Sequence, residues 1–439
     1  MPGDKLKNSV GLRLFLIGVL SLVLLIPAMM IQGLITEREQ RRNSAVFEVS
    51  DKWGRPQTLA GPILTVPYKK LIKDEKGNLT PVVEYAHFLP ERLSINAELF
   101  PEIRYRGIYE VVLYNSKLQL RGNFSLLDFN QFSILAENIL WKDSFLALGL
   151  GDLKGIREAV KINFNGAGFV ANPGIESKDV LEIGISVKPN LRAPSASYEF
   201  AIDLDLNGSG AISFVPVGKE TSVKISSPWG NPSFVGEFLP VERQVQSNHF
   251  NAEWKVLHLN RNYPQQWLGS RHHIMDSSFG VELLLPIDEY QKTMRTAKYA
   301  IMFIALTFLA FFLTEVLNKK VIHPIQYILI GLALILFYTL LLSFSEHIKF
   351  NSAYLLSSLA IIALVTAYTK SVLSNNPATA IIAGILIVLY GFLYIILQLQ
   401  DYALLLGSVG LFIILAIVMY VTRKIDWFAI GKLASESQK

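Results

Sequence analysis

The chain of 439 residues contains no cysteine. That absence excludes disulfide staples, thiolate metal sites and cysteine nucleophiles together. No Walker-type phosphate loop, HExxH helix or nucleophile motif is present either. The segment NGAGFV (165–170) holds a Gly-x-Gly but lacks the third glycine, the surrounding βαβ pattern and the acidic partner of a dinucleotide fingerprint, and it reads as a turn. Charge is scarce: Asp, Glu, Lys and Arg make up only 18% of the residues. Also missing, over the 262 residues from Thr36 to Ala297, is any apolar run long enough to cross a bilayer.

Such runs are present on both sides of that interval. A helix needs about 20 predominantly apolar residues to cross a hydrocarbon core of roughly 30 Å. Residues 14–35 meet that requirement, and five further runs crowd into 299–317, 325–343, 352–369, 379–397 and 403–421. None carries a central Asp, Glu, Lys or Arg. The pattern predicts one N-terminal anchor, a large domain over 36–297 and a five-helix block over 299–421, with short tails at 1–13 and 422–439. Membrane lipids are the first expected partner.

With six spans both termini share a side. The short segments on that side carry Lys5, Lys7, Arg13, Lys319, Lys320, Lys370, Arg423, Lys424, Lys432 and Lys439, whereas the short loops opposite carry only Lys349. Lys and Arg in short loops stay cytoplasmic, which predicts cytoplasmic termini and an exported domain. Arg38, Arg41, Arg42, Arg295 and Lys298 flank that domain and oppose the rule, but long translocated domains tolerate such charges. The region LIPAMMIQG (25–33) offers no small-x-small cleavage site, so the first run reads as an uncleaved anchor. Pro27 is expected to kink it. The formal charge of +5 is largely topogenic. The domain has no basic stripe with interleaved aromatics, and no nucleic-acid partner is expected.

Strict alternation marks the domain as antiparallel β. Tyr198, Phe200, Ile202, Leu204 and Leu206 alternate with Glu199, Ala201, Asp203, Asp205 and Asn207. The turn NGSG (207–210), the strand AISFVPV (211–217), a turn at 218–220 and VKIS (223–226) then predict a three-strand meander. SKLQLRG (116–122), FNAEWKV (250–256) and FGVELLL (279–285) alternate similarly. The expected architecture is sandwich-like. Three matched pairs suggest duplication into lobes at 50–180 and 195–287: GPILTVP (61–67) with GAISFVP (210–216), HFLPER (87–92) with EFLPVER (237–243), and INAEL (95–99) with FNAEW (250–254). The alternative is chance recurrence of strand punctuation. After Pro286, Asp288 is an expected N-cap for a helix running directly into the second span.

Candidate chemistry is thin. His249, His258, His272 and His273 fall within 25 residues, but their spacing matches no ligand motif, and the ordinary reading is polar strand and loop histidines. No metal and no cofactor is expected. The loop SPWGNPSFVGEF (227–238) is a candidate for presenting Trp229 and Phe234 to a partner, against the alternative of a stiff connection. Intramembrane ionisable groups are costly and often functional. Glu315 ends the second span near Lys319 and Lys320, where interfacial pairing accounts for it. Glu346, His347 and Asp401 are candidates for a proton- or ligand-sensitive group at the opposite face, against the alternative of ordinary loop residues.

The strings LLIPAMMIQGLITER (24–38), LAGPILTVP (59–67), HFLPE (87–91), RGIYEVVLYNSKLQLRG (106–122) and SPWGNPSFVGEFLPVER (227–243) resemble the CreD family of inner-membrane proteins. So do TAKYAIMFIALTFLAFFLTE (296–315), HPIQYILIGLALILFYTLLLSFSEH (323–347), ALLLGS (403–408) and VTRKIDW (421–427). The resemblance implies a Gram-negative inner-membrane protein associated with envelope integrity and stress. It carries over no catalytic residue. Three readings follow: a non-enzymatic envelope protein whose periplasmic domain binds or scaffolds an envelope partner; a transporter or flippase-like protein for an envelope precursor, with Glu315 or Tyr338 lining a cavity; and a periplasmic cell-wall hydrolase. The oligomeric state is not legible.

Overall fold

The computed structural model describes residues 10–73, 79–192, 195–285, 289–318, 322–399 and 402–423. The chain divides into two compact units, one of residues Asn43–Pro286 and one built from the segments on either side. Among the described residues, six helices are long and apolar enough to cross a membrane, one N-terminal and five C-terminal.

The first of these is α1 (Val10–Val23) continued by α2 (Leu25–Trp53). Helical assignment lapses only at Leu24. Pro27 supplies no N–H, so the carbonyl four positions earlier loses its donor and the ladder loosens one turn before the proline. Leu24, Ala28, Ile31 and Ile35 form the buried stripe of this helix, at the spacing of one helical face. The rest of its apolar surface is exposed in the single chain, as a lipid-facing surface has to be. Gly331 makes the close approach possible, because a Cβ there would lie 2.2 Å from Leu24 Cδ1 and 3.0 Å from Phe308 Cζ.

The remaining helices are α3 (Glu289–Lys298), α4 (Ala300–Asn318), α5 (Pro324–Ser345), α6 (Phe350–Leu373), α7 (Asn376–Gln398) and α8 (Ala403–Thr422). Asp288, the expected cap of α3, lies outside the described residues. Tyr299 alone separates α3 from α4, with its N–H bonded to the Thr296 carbonyl at 3.1 Å. Aromatic rings fill the block's centre: Phe337 lies 4.8 Å from Tyr390 and 5.4 Å from Tyr354, and Phe303 lies 5.2 Å from Tyr390. The α8 helix has no buried residue.

The second unit begins inside α2, whose last turns pack on its own strands. Arg104 covers the Trp53 ring at 4.2 Å, and the Trp53 indole N–H donates to the Tyr114 carbonyl at 3.3 Å. The helix stops at Gly54, whose φ of 143° and whose contact with the Asn207 carbonyl admit no side chain.

The strands that follow are β1 (Gln57–Lys73), β2 (Leu79–Phe88), β3 (Arg92–Arg106), β4 (Tyr109–Ser125), β5 (Phe145–Gly149) and β6 (Lys161–Phe164). Next come β7 (Ala167–Val170), β8 (Asn172–Pro173), β9 (Gly184–Val187), β10 (Ser197–Ser209), β11 (Ala211–Val215) and β12 (Glu220–Ser227). The last are β13 (Pro232–Gly236), β14 (Glu242–Val245), β15 (Phe250–Leu257), β16 (Gln266–Leu268) and β17 (Phe279–Leu283). One sheet runs β13-β17-β11-β1-β5-β9-β8, with β2 and β16 joined through β1; the other runs β14-β15-β12-β3-β4-β10-β6-β7. A single cluster of buried side chains draws on both. NGAGFV is a turn: Asn165 and Gly166 take φ of 51° and 80° and close the β6–β7 hairpin.

The sheets are antiparallel apart from two parallel pairs, β1 with β11 and β3 with β12. The expected meander over 198–226 does not form. Its three segments are strands, but β10 pairs with β4 and β6, β11 lies in the other sheet, and β12 pairs with β3 and β15. The alternation identifies a strand with one buried face, not its neighbour. Residues 50–180 and 195–287 do not fold as separate lobes. Strands of the two halves pair with one another in both sheets, β1 with β11 and β2 with β16 in one, β3 with β12 and β10 with β4 and β6 in the other.

Candidate functional site

The first helix is held in the membrane unit by two groupings of Arg, Glu and Tyr. In the first, Arg13 of α1 donates from Nη1 to Glu315 Oε1 at 2.8 Å, and the Tyr327 hydroxyl donates to Glu315 Oε2 at 3.0 Å. Glu315 is 4% exposed. Phe308 and Phe311 pack edge-on against Tyr327 at 5.3 and 6.4 Å. In the second, the Tyr290 hydroxyl of α3 donates to Glu346 Oε1 at 3.0 Å, and Arg38 Nη1 lies 3.8 Å from Glu346 Oε2. The Arg42 guanidinium stands 5.4 Å over the Tyr290 ring.

Arg13 and Arg38 are 25 positions apart. At 1.5 Å per residue the separation is roughly 37 Å. That exceeds a hydrocarbon core of about 30 Å and falls inside the 40–45 Å that includes the interfaces. One grouping therefore belongs to each interfacial level, with a span free of charge between them. Each carboxylate meets a guanidinium and a phenol, which is how charge is tolerated at such depth. The arrangement neutralises and positions both carboxylates.

Two expectations for this unit fall partly outside the described residues. Lys319 and Lys320, the expected partners of Glu315, lie outside the described residues, and Arg13 fills that role. Of the group Glu346, His347 and Asp401, Asp401 lies outside the described residues. His347 is exposed, and Glu346 turns to Arg38 and Tyr290 instead. Sequence reasoning missed Arg13, Arg38, Tyr290 and Tyr327. The available signal was that one basic residue flanks each end of the first span while one acidic residue closes each of two later spans. A groove of the block, about 550 Å³, is walled by apolar side chains of α4, α7 and α8, including Leu306, Leu313, Val388 and Ile413. Neither Glu315 nor Tyr338 lines it, and both are buried.

In the β unit, Phe234 sits on β13 with its ring edge-on to Phe250 at 6.0 Å and Trp254 at 5.7 Å, turned toward the core. Trp229 is half-buried against the same core, its indole N–H donating to the Asn231 carbonyl at 3.2 Å. Residues 227–238 run from β12, inside one sheet, into β13 at the edge of the other, and the exposed apolar side chains beside them are Leu239 and Val241. The described residues contain no grouping of three or more His, Asp or Glu suited to a metal. His249 bonds Asn248, and His272 lies 5.4 Å from the Trp267 ring.

One histidine outside the expected set is deeply placed. His87 on β2 is 2% exposed, with Nδ1 3.0 Å from Thr65 Oγ1 and Nε2 3.3 Å from Asp179 Oδ2. Burial pushes its pKa below the ordinary range, and Asp179 opposes that shift. A hydroxyl, imidazole and carboxylate in series have the order of a hydrolase triad, but here Thr65 is itself buried, at 2% exposed.

The family model described as inner membrane protein CreD matches residues 9–428. A curated relative, inner membrane protein CreD of Escherichia coli (strain K12), is 34% identical over 420 residues, covering 93% of this chain and 91% of its own. Among solved structures, an M1 zinc metallopeptidase mutant from Deinococcus radiodurans aligns over 38% of this chain and 39% of its own, with 10% identity and a TM-score of 0.19. Agreement that low bears on neither fold nor function.

Proposed function

Since this chain belongs to the CreD family of inner membrane proteins, we propose that it is a non-enzymatic protein supporting envelope integrity. In this reading both termini are cytoplasmic, and the β unit is periplasmic and binds or scaffolds an envelope partner. The observation that carries the proposal is the use to which the membrane unit puts its ionisable groups. Glu315 and Glu346 are each taken up by an arginine and a tyrosine. That is the chemistry of an anchor, whereas a proton or ion path needs groups free to change partners. The asymmetry of Lys and Arg between the short loops supports the orientation.

The test is made in cells. A reporter active only after export is fused at the C-terminus or inserted at Gln246, and a photo-reactive residue replaces Leu239 in the full chain. The reading expects activity only from the insertion and a discrete protein or glycan adduct at Leu239. Activity from the C-terminal fusion overturns the orientation. Adducts confined to phospholipid overturn the partner-binding role.

A further inference from the structure

The outer face of the eight-stranded sheet carries a groove of about 900 Å³, walled on one side by β14. Register alignment lays its polar side chains in rows that cross the strands. Gln119, Asn96, Lys224, Glu253 and Glu242 are successive Cα partners on β4, β3, β12, β15 and β14. Two residues along each strand, Glu98, Ser226, Asn251 and Gln244 form a second row. With strands about 4.8 Å apart, the first row is roughly 19 Å long, and the rows stand about 7 Å apart.

An exposed sheet face ordinarily neutralises itself by cross-strand pairs. That happens next to the groove, where Arg121 bonds Asp203 at 2.6 Å and Lys255 bonds Glu220 at 2.8 Å. Inside it, the ion pair is Lys224 with Glu253, at 3.0 Å. Asn96, Glu98, Gln119, Glu242, Gln244 and Asn251 take part in none of the side-chain bonds seen among the described residues. Moreover, Glu242 stands directly opposite Glu253, a like-charge pairing that weakens a ladder. Rigid strands thus hold four carboxamides, which donate and accept, beside three carboxylates, which only accept.

We propose that this groove binds a neutral polyhydroxylated chain, a glycan strand lying across β4, β3, β12, β15 and β14. Hydroxyls donate to Glu98, Glu242 and Glu253 and both donate to and accept from the carboxamides. Each strand step presents a fresh polar side chain to such a ligand. The groove's three carboxylates and two cations, Lys224 and Arg243, nearly balance, which disfavours strongly charged polymers. An extended peptide would instead add along the free edge of β14, using backbone groups. No aromatic side chain lines the groove, so stacking is absent and the affinity is weak. The inference deepens the partner-binding reading above and rests on it for biological meaning only.

The test is saturation-transfer NMR on the full chain in a detergent without a sugar headgroup, with chitotetraose, maltotetraose and tetra-alanine as probes. At least one tetrasaccharide is expected to receive saturation, and the double variant Asn96→Ala/Gln119→Ala is expected to weaken it by about tenfold or more. The variant Arg121→Ala, just outside the groove, should leave it unchanged. Circular dichroism confirms that each variant folds; all three positions are on the exposed face. Failure of both sugars at about 10 mM, transfer to the peptide alone, or equal binding by the double variant overturns the proposal. A discrete protein adduct at Leu239 alongside failure of both sugars removes the glycan while leaving the partner-binding reading intact.

Discussion

The variant Arg13→Leu tests the accounting at Glu315. It removes the cation from a carboxylate that is 4% exposed and leaves only the Tyr327 hydroxyl to hold it. Breaking a buried pair by deleting one partner costs 3–5 kcal/mol in soluble proteins. Two features reduce the figure here. Glu315 lies three positions from the end of α4, within reach of interfacial water, and hydrogen bonds between membrane helices are individually modest. The expected loss is therefore about 2–3 kcal/mol. Arg38→Leu should lose less than about 1 kcal/mol, because that contact is longer, at 3.8 Å, and its arginine is 38% exposed. The double variant Arg13→Leu/Glu315→Leu should recover most of the loss, since both charges leave together. The assay is reversible unfolding of the full chain in lipid nanodiscs, read as a double-mutant cycle. A neutral Arg13→Leu, or a cycle with coupling below about 0.5 kcal/mol, refutes the reasoning.

Three further outcomes follow from the same geometry. Gly331→Leu forces side-chain atoms into Leu24 and Phe308 and should cost about 1–3 kcal/mol by overpacking, measured as a lower unfolding temperature of the membrane unit. Phe234→Ala should destabilise the β unit by about 2–3 kcal/mol, somewhat less than a full core truncation because its ring is partly exposed, whereas Leu239→Ser should leave it unchanged. Folding lowers the pKa of His87, so below pH about 6.5 the unfolded chain binds more protons than the folded one. Stability of the β unit should rise with pH through that window and fall as acid is added, and His87→Asn should flatten the slope of unfolding temperature against pH.

The six spans were legible because crossing a bilayer is a matter of length and apolarity, both local properties. Strands such as β10 were legible because one buried face forces alternation from Tyr198 to Leu206. Pairing was not. The partner of β10 is β4, joined by the register Ser197↔Ser125 through Ser209↔Leu113, and nothing in either segment names the other. The same limit hid the two membrane groupings, since Arg38 and Glu346 meet only after the helices pack. Phe234 was legible as an aromatic in a rigid loop, but whether it faces out or in is decided by Phe250 and Trp254 on β15. His87 was concealed within a short motif whose alternation was ordinary.

The pairing of β1 with β11 sets a timetable for the β unit. Gln57 aligns with Ile212, and the sheet is not complete until β17 at Phe279–Leu283 has been made. At a synthesis rate of about 5–20 residues per second, the first strand waits roughly 10–30 s for its parallel neighbour. Throughout that interval the buried side chains of β1, including Leu59, Ile63 and Leu64 on its two faces, have an incomplete set of neighbours. The unit therefore cannot mature segment by segment as the chain emerges, and its yield depends on whatever shields those strands before the last one arrives.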